Sequence, residues 1–357
     1  MKKICIIGAG IFGCTIALRL SENNNYVIDI IEKNNDILNG VTLKNQQRFH
    51  LGYHYPRSKK TIDEIKKSYK KFIKFYGNDI FGDTINLYGI SKIKSKLTFK
   101  NYLKSLKNSK LDIKLNKKHN IFSNLIEGSI LTKEKILNYF KLKKKIKSRL
   151  SIKKNITLKL NSNLQKNMIE EYDKIILCTY YNNNELLKQL KVKKIPKMNF
   201  ELIEKIIIKL PKSFKKISAV ILDGNFLNFD PYLGTKYHLL SVVKKAKIEI
   251  IKKKFAIFKS NKKMLINKIK HKSVNVSNFK DFIKEGKKYV PILSKGRYVD
   301  SFYTVRCTHV DKNSHNRTNK IKTYNNKIIT VLSGKWNTCV NIANHVDKII
   351  KVNAKKN

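Results

Sequence analysis

Apolar residues follow several different rhythms along this chain. Residues 4–7 form a short unbroken apolar run, and residues 26–31 form a nearly unbroken one. Runs of that length, closed by turn residues, mark strands buried on both faces. Between them stand Gly8-Ala9-Gly10-Ile11-Phe12-Gly13 and a mostly apolar stretch, 14–20, that reads as a helix. Residues 59–76 take up helical spacing, with Ile62, Ile65, Tyr69, Phe72 and Ile73 apolar. A strand is expected at 85–90, a helix at 97–106 and a short strand at 129–132. Thr132 is then expected to cap a helix running to about Leu142, with Lys133-Glu134 opening it. Strands follow at 156–160 and 172–180.

After Glu201 the rhythm shortens. Segments 202–210, 218–222, 237–243, 246–251 and 255–258 read as strands joined by turns that hold Pro211, Asp223-Gly224, and Pro231 with Gly234. This is the pattern of an antiparallel sheet inserted into an α/β chain. A helix lies within 274–289, and strands are expected at 301–306 and 327–332. Gly334-Lys335-Trp336-Asn337-Thr338 then leads into a closing helix, 339–352.

The first turn has the spacing of a dinucleotide fingerprint. Gly8 serves the tight turn, Gly10 lets a pyrophosphate approach bare backbone, and Gly13 lets the helix sit close on the strand. The helix start offers N–H groups and a positive dipole end to phosphates. Glu32 ends the second strand, where a carboxylate accepts hydrogen bonds from ribose hydroxyls and disfavours a 2′-phosphate. The competing reading is an ordinary buried β-α-β unit with an incidental glycine turn.

Composition adds one unusual fact. Lys+Arg number 77 against 25 Asp+Glu, a formal charge of +52. Only seven of the 77 are Arg, and the Lys are spread evenly among Ile and Asn. Specific phosphate and base recognition recruits Arg forks. The charge therefore reads as solvated faces that attract anionic small molecules, with no specific nucleic-acid partner expected. Cys5, Cys14, Cys178, Cys307 and Cys339 have no C-x-x-C spacing, so neither a zinc site nor a disulfide framework is expected. No run reaches the roughly 18 apolar residues of a membrane span. A cytoplasmic protein is expected.

The stretch Asn45-Gln46-Gln47-Arg48-Phe49-His50-Leu51-Gly52-Tyr53-His54-Tyr55-Pro56-Arg57-Ser58 has no clean period and reads as a shaped loop. His50 and His54 lie four apart, but Gly52 and Pro56 break a helix there, so no metal pair is expected.

Taken together, GAGIFG with Glu32, the strand ending Cys178-Thr179, the mid-chain sheet and the closing strand with Gly334 resemble the FAD-dependent oxidoreductases of the D-amino-acid oxidase superfamily, which includes glycine oxidase and sarcosine oxidase. The 45–58 loop resembles a branch marked by an NQ-R-H-GYHYPRS signature. The resemblance implies an α/β fold. A Rossmann-like FAD-binding domain of the glutathione-reductase type (1–80, 129–200 and 300–357) would carry an inserted antiparallel-sheet substrate domain (81–128 and 201–299). It implies FAD held by Gly8, Gly10, Ile11, Phe12, Gly13, Glu32 and Lys33. Asn45, Gln46, Arg48 and His50 would lie near the isoalloxazine, and Thr179 beneath the nucleotide. Gly334, Lys335, Asn337 and Thr338 would close the flavin site. Near the C-terminus the family has Arg-Pro-x-Thr-x-Asp, whose Arg clamps a substrate carboxylate. Here Arg306 and Asp311 keep the separation, Cys307 replaces the Pro, and the Thr is displaced to Thr308.

The implied reaction is hydride transfer from a small amine or amino-acid-like substrate to the flavin. Arg48, Lys335 or the start of the last helix would place positive charge beside the reduced ring. His50 or His54 would accept a proton. His50 is equally read as a loop-structuring group, and His54 is read first as one. Arg306 either clamps a carboxylate or pairs with an acid such as Asp300 or Asp311. Tyr232, Tyr237 and His238 lie in the sheet expected to roof the flavin, with Tyr237 as a further catalytic candidate. Trp336 either covers the cofactor or packs in the core. Two rival readings stay open: a flavoenzyme acting on nucleotide sugars, similar to UDP-galactopyranose mutase, and a basic nucleic-acid-binding protein on a non-catalytic dinucleotide fold.

Overall fold

The computed structural model describes residues 1–165, 169–224, 227–266, 277–310, 319–332 and 335–352. The early apolar runs form the centre of a six-stranded sheet. In space its strands run Lys320–Tyr324, Ile328–Leu332, Lys174–Leu177, Lys2–Ile7, Tyr26–Ile31, Ile156–Lys159. All neighbours are parallel except the outer Lys320–Tyr324. Period-two geometry sorts the first strand. Ile4 and Ile6 face the helices Ile11–Leu20 and Cys339–Val352, while Cys5 and Ile7 face the cluster with Leu187 of Asn183–Gln189. Both faces are covered, which is why the run is apolar throughout. Crossovers leave Lys2–Ile7 in opposite directions, so a crevice opens at the carboxyl ends of the central strands.

The second sheet has nine strands. Met198–Lys209 is its spine. It pairs with Arg297–His309 along its whole length on one side, and with Lys247–Lys253 and Tyr237–Val242 on the other. The sheet continues through Leu227–Tyr232, Ile217–Leu222, Ile85–Ser91, Ile126–Leu131 and Lys114–Leu115. Ile206, Ile208, Phe229 and Leu240 pack with Phe282 of the helix Phe279–Gly286. Ile207, Tyr232, Leu239 and Phe302 point the other way, into the core shared with the first strand and helix. A three-stranded ribbon, Arg48–Phe49, Lys135–Leu137 and Phe81–Gly82, lies beside them.

Several expectations are corrected. Thr132 caps no helix. Lys135–Leu137 is drawn into the ribbon, and the helix Tyr139–Ser151 starts later, capped by Asn138, whose side chain accepts from Lys141 N–H at 3.1 Å. Residues 255–258 form no strand. Pro231, read as a turn residue, lies inside Leu227–Tyr232. The sheet is mixed, because Ile217–Leu222 pairs in parallel with Ile85–Ser91. The segment 300–309, placed by the sequence with the nucleotide-binding part, belongs to the large sheet. The strand expected through Tyr180 stops at Leu177, and Tyr180 sits in the left-handed region at φ 59°.

Candidate active site

A groove of about 440 Å³ runs along the carboxyl ends of the first two strands and of Lys174–Leu177. Its floor is the glycine turn. Gly8 has φ +100°, which an L side chain rarely adopts, and a Cβ there would lie 3.0 Å from Cys178 O. At Gly13 a Cβ would collide with the Gly8 carbonyl oxygen. Only glycine lets the helix start this close to the strand. Above Gly10 the nearest atom to a would-be Cβ is Thr42 Oγ1, at 3.6 Å.

Glu32 is buried at one end of the groove. Its Oε2 accepts Ala9 N–H at 2.7 Å and its Oε1 accepts Asn34 N–H at 2.9 Å. Oε1 also accepts from Asn34 Nδ2, so Oε2 is the oxygen that keeps acceptor capacity for a ribose hydroxyl. Thr42 Oγ1 accepts Ile11 N–H at 3.2 Å, doing for the helix start what its N-cap, Gly10, has no side chain to do. The sequence reading missed Thr42 because it lies in a loop with no motif of its own. Ile11, Phe12, Lys33, Asn45, Thr179 and Trp336 also line the groove. Thr179 is tied to Asn183 Oδ1 through both N–H and hydroxyl, at 3.0 and 2.9 Å.

The other predicted cofactor residues divide. Gln46 donates to Leu239 O at 2.8 Å, while its buried Oε1 has no hydrogen-bond partner among the described residues. Asn337 Nδ2 is buried in the same condition. Thr338 Oγ1 donates to Lys335 O at 2.7 Å and lies 3.1 Å from Asn319 Oδ1. Lys335 Nζ sits 4.4 Å over the Tyr55 ring. Gly334 lies outside the described residues, as does Asp311. Arg48 is not in the groove lining. It is buried with Asp230 Oδ1 at 2.5 Å, Glu134 Oε2 at 3.4 Å and the Ser218 hydroxyl. Burial opposes its charge, but Asp230, Tyr88 and Glu134 outweigh that and hold the guanidinium protonated.

Arg306 ion-pairs with Glu201, directly opposite it in the ladder, and Lys247 Nζ reaches the same carboxylate at 3.3 Å. Glu201 is a cross-strand acid that the sequence reading did not name. Tyr237 lies partly buried on the sheet face toward the nucleotide core. His238 points the opposite way, its Nε2 2.9 Å from Phe214 O. Trp336 packs on Phe49 and Phe72, with ring centroids 5.3 and 5.5 Å apart, while also lining the groove. It covers the groove and packs in the core at once.

The 45–58 loop folds around a carboxylate that the sequence reading did not single out. Glu134 is fully buried. It accepts Leu51 N–H at 2.8 Å and Tyr88 OH at 2.6 Å, and its Oε2 lies 3.6 Å from His50 Nδ1. Burial pushes this carboxyl up, but His50, Arg48 and the Tyr88 hydrogen bond overturn that and bring it down to about 2. His50 stacks near His54 and Tyr55, with centroids at 5.1 and 5.8 Å. Arg57 Nε anchors the loop's end on Asp223 at 2.7 Å. No His/Cys/Asp/Glu group among the described residues could hold a metal, and the five cysteines are unpaired.

A glycine-floored groove with a terminal acid, at the carboxyl ends of a parallel sheet, defines a dinucleotide-cofactor protein. Residues 3–144 match the family model for the FAD dependent oxidoreductases, DAO. In that N-terminal segment the chain is similar to the FAD-dependent oxidoreductases of the D-amino-acid oxidase superfamily. Across 74 residues it is 38% identical to the FAD-dependent monooxygenase kojA of Aspergillus flavus, a match that spans 21% of this chain and 17% of that protein. In fold it is similar to glycine oxidase from Geobacillus kaustophilus, with TM-score 0.68 and 9% identity over 98% of this chain and 95% of that one. It is similar also to L-alpha-glycerophosphate oxidase from Mycoplasma pneumoniae, with TM-score 0.72 and 12% identity over 98% and 95%. FAD is the cofactor of this class, and the residues present fit it. Bare backbone lies above Gly10, and Glu32 stands buried at one end of the groove.

Proposed function

We propose that this chain catalyses FAD-dependent oxidation of a small amine or amino-acid-like substrate. One observation carries the reading: Glu32, buried and braced by Ala9 N–H, faces a groove whose glycine turn holds Gly8 at φ +100° and packs Gly13 against the Gly8 carbonyl. Bound FAD supplies the hydride acceptor. The chain supplies the rest. The start of the helix Ile11–Leu20 meets the pyrophosphate with its N–H groups and dipole. Gln46 and Asn337 orient the ring edges. The sheet face with Tyr232, Tyr237 and Leu239 excludes water. His50, partly exposed beside Tyr55 and Lys335, takes the proton from the substrate heteroatom. Arg306 is engaged by Glu201, so the substrate's negative end falls to Lys335, in a field set by the +52 charge.

The test is the absorption spectrum of the purified protein. Flavin bands, present on isolation or after reconstitution with FAD, are expected, and a colourless protein that cannot be reconstituted overturns the reading. Anaerobic bleaching should follow addition of amines or amino acids. Bleaching by neither, with nucleotide sugars converted instead, would move the chemistry to the rival flavoenzyme reading.

A further inference from the structure

We propose that Glu134 is a positioning residue that turns His50 so that Nδ1–H faces the buried carboxylate and Nε2 is the atom left to exchange protons at the site. The proposal rests on the reading of His50 as the proton-transfer group.

The charge count around Arg48 carries it. One guanidinium lies among two fully buried carboxylates, Asp230 and Glu134. Asp230 is the closer, at 2.5 Å, and with Ser218 it satisfies one nitrogen of the guanidinium. Glu134, at 3.4 Å, is the second and surplus negative charge. A buried carboxylate in excess of its counter-charge is costly unless further donors reach it. Two neutral donors do, Leu51 N–H and Tyr88 OH. The remaining group aimed at it is His50 Nδ1, at 3.6 Å from Oε2. That is an ion-pair distance, longer than a formed hydrogen bond. Such pairs tighten when a site closes on its substrate. The other charged or titratable groups facing His50 are His54 and Tyr55 of its own loop and Lys335 beyond Tyr55. None of them is an acid. The tautomer of an imidazole is set by the hydrogen bond that its other nitrogen makes.

Chain direction explains why Glu134 can do this. The ribbon pairs Arg48 with Ile136 and Phe49 with Lys135, so the residue just before Lys135 sits beside His50 although 84 positions separate them. The carboxylate is thus fixed by backbone pairing as well as by its own hydrogen bonds.

The test reads the histidine directly. In protein labelled with ¹⁵N at its eight histidines, the His50 signals are those lost in His50→Gln. The neutral wild-type ring is expected with Nδ1 protonated and Nε2 bare. In Glu134→Gln the Nε2-protonated form should gain by about tenfold, the factor that corresponds to one pKa unit of differential interaction. If Glu134→Gln does not fold, Glu134→Asp retracts the charge by one methylene and should give an intermediate tautomer ratio. A wild-type His50 protonated at Nε2, or a ratio unchanged in the variant that folds, overturns the proposal. The histidine spectrum needs no flavin, so a colourless protein would sink the oxidase reading while leaving this result legible.

Discussion

Lys44 shows how strongly single residues are constrained here. It is fully buried, donates to Tyr303 O at 3.3 Å, and its ammonium is brought down to about 8 by burial and by the field of Lys33. The sign of the effect follows from linkage. An unfolded Lys44 holds its proton up to about 10.5, whereas the folded one releases it near 8. The unfolded chain therefore binds more protons across that window, and folding stability gains from this group as pH rises from 8 to 10.5. In Lys44→Met the increment should vanish, which denaturant unfolding at pH 7.5 and 10 would measure as a wild-type-minus-variant stability that rises toward the higher pH. Glu134 has the same sense in a more acidic window. Its stabilisation is present above about 4.5 and is lost as pH falls toward 2, and Glu134→Gln should remove that part of the acid transition.

At the scale of elements, the strand–turn–helix at the start was legible because each constraint is local. Gly8, Gly10 and Gly13 fix the turn, and the apolar runs fix burial. Gly13→Val should drive a side chain into the Gly8 carbonyl, separating helix from strand at a cost of about 1–3 kcal/mol or more. FAD titration and circular dichroism check it: FAD affinity should fall by at least about tenfold, the equivalent of about 1.4 kcal/mol, with helix content nearly kept. The 45–58 loop was visible as a dense polar stretch, yet its internal order was not. Arg48 looked like a flavin-side cation because sequence shows its nearness to Gln46 and hides Asp230, 182 positions away. Glu134 looked like a helix-opening acid because Lys-Glu after a Thr is capping chemistry, and the claim of the ribbon on Lys135–Leu137 is a tertiary effect. Pro231 misled for the same reason: its strand is set by neighbours, not by local propensity.

Across the whole molecule the charge is the dominant feature. Lysines spread along the whole sequence should bind polyanions without discrimination. Retention on immobilised heparin should be strong at low salt and fall steeply as salt rises, and two unrelated DNA duplexes should bind within about twofold of each other. A clear preference for one duplex would instead revive the nucleic-acid reading. The described residues contain no helix long and apolar enough to cross a membrane.

The buried cluster around Arg48 also dictates an order of assembly. The matched segment, residues 3–144, contains Arg48 and Glu134, but Ser218 and Asp230 lie well beyond it. During synthesis the nucleotide-binding turn can close as soon as its strands are made. The signature loop cannot, because its guanidinium lacks its principal counter-charge until the mid-chain sheet has emerged and paired. Contacts of such long sequence separation form late and slowly. The chain thus makes its glycine turn before the Arg48 cluster can close, while the rest of the groove, with Cys178, Thr179, Val331 and Trp336, waits for segments made later still.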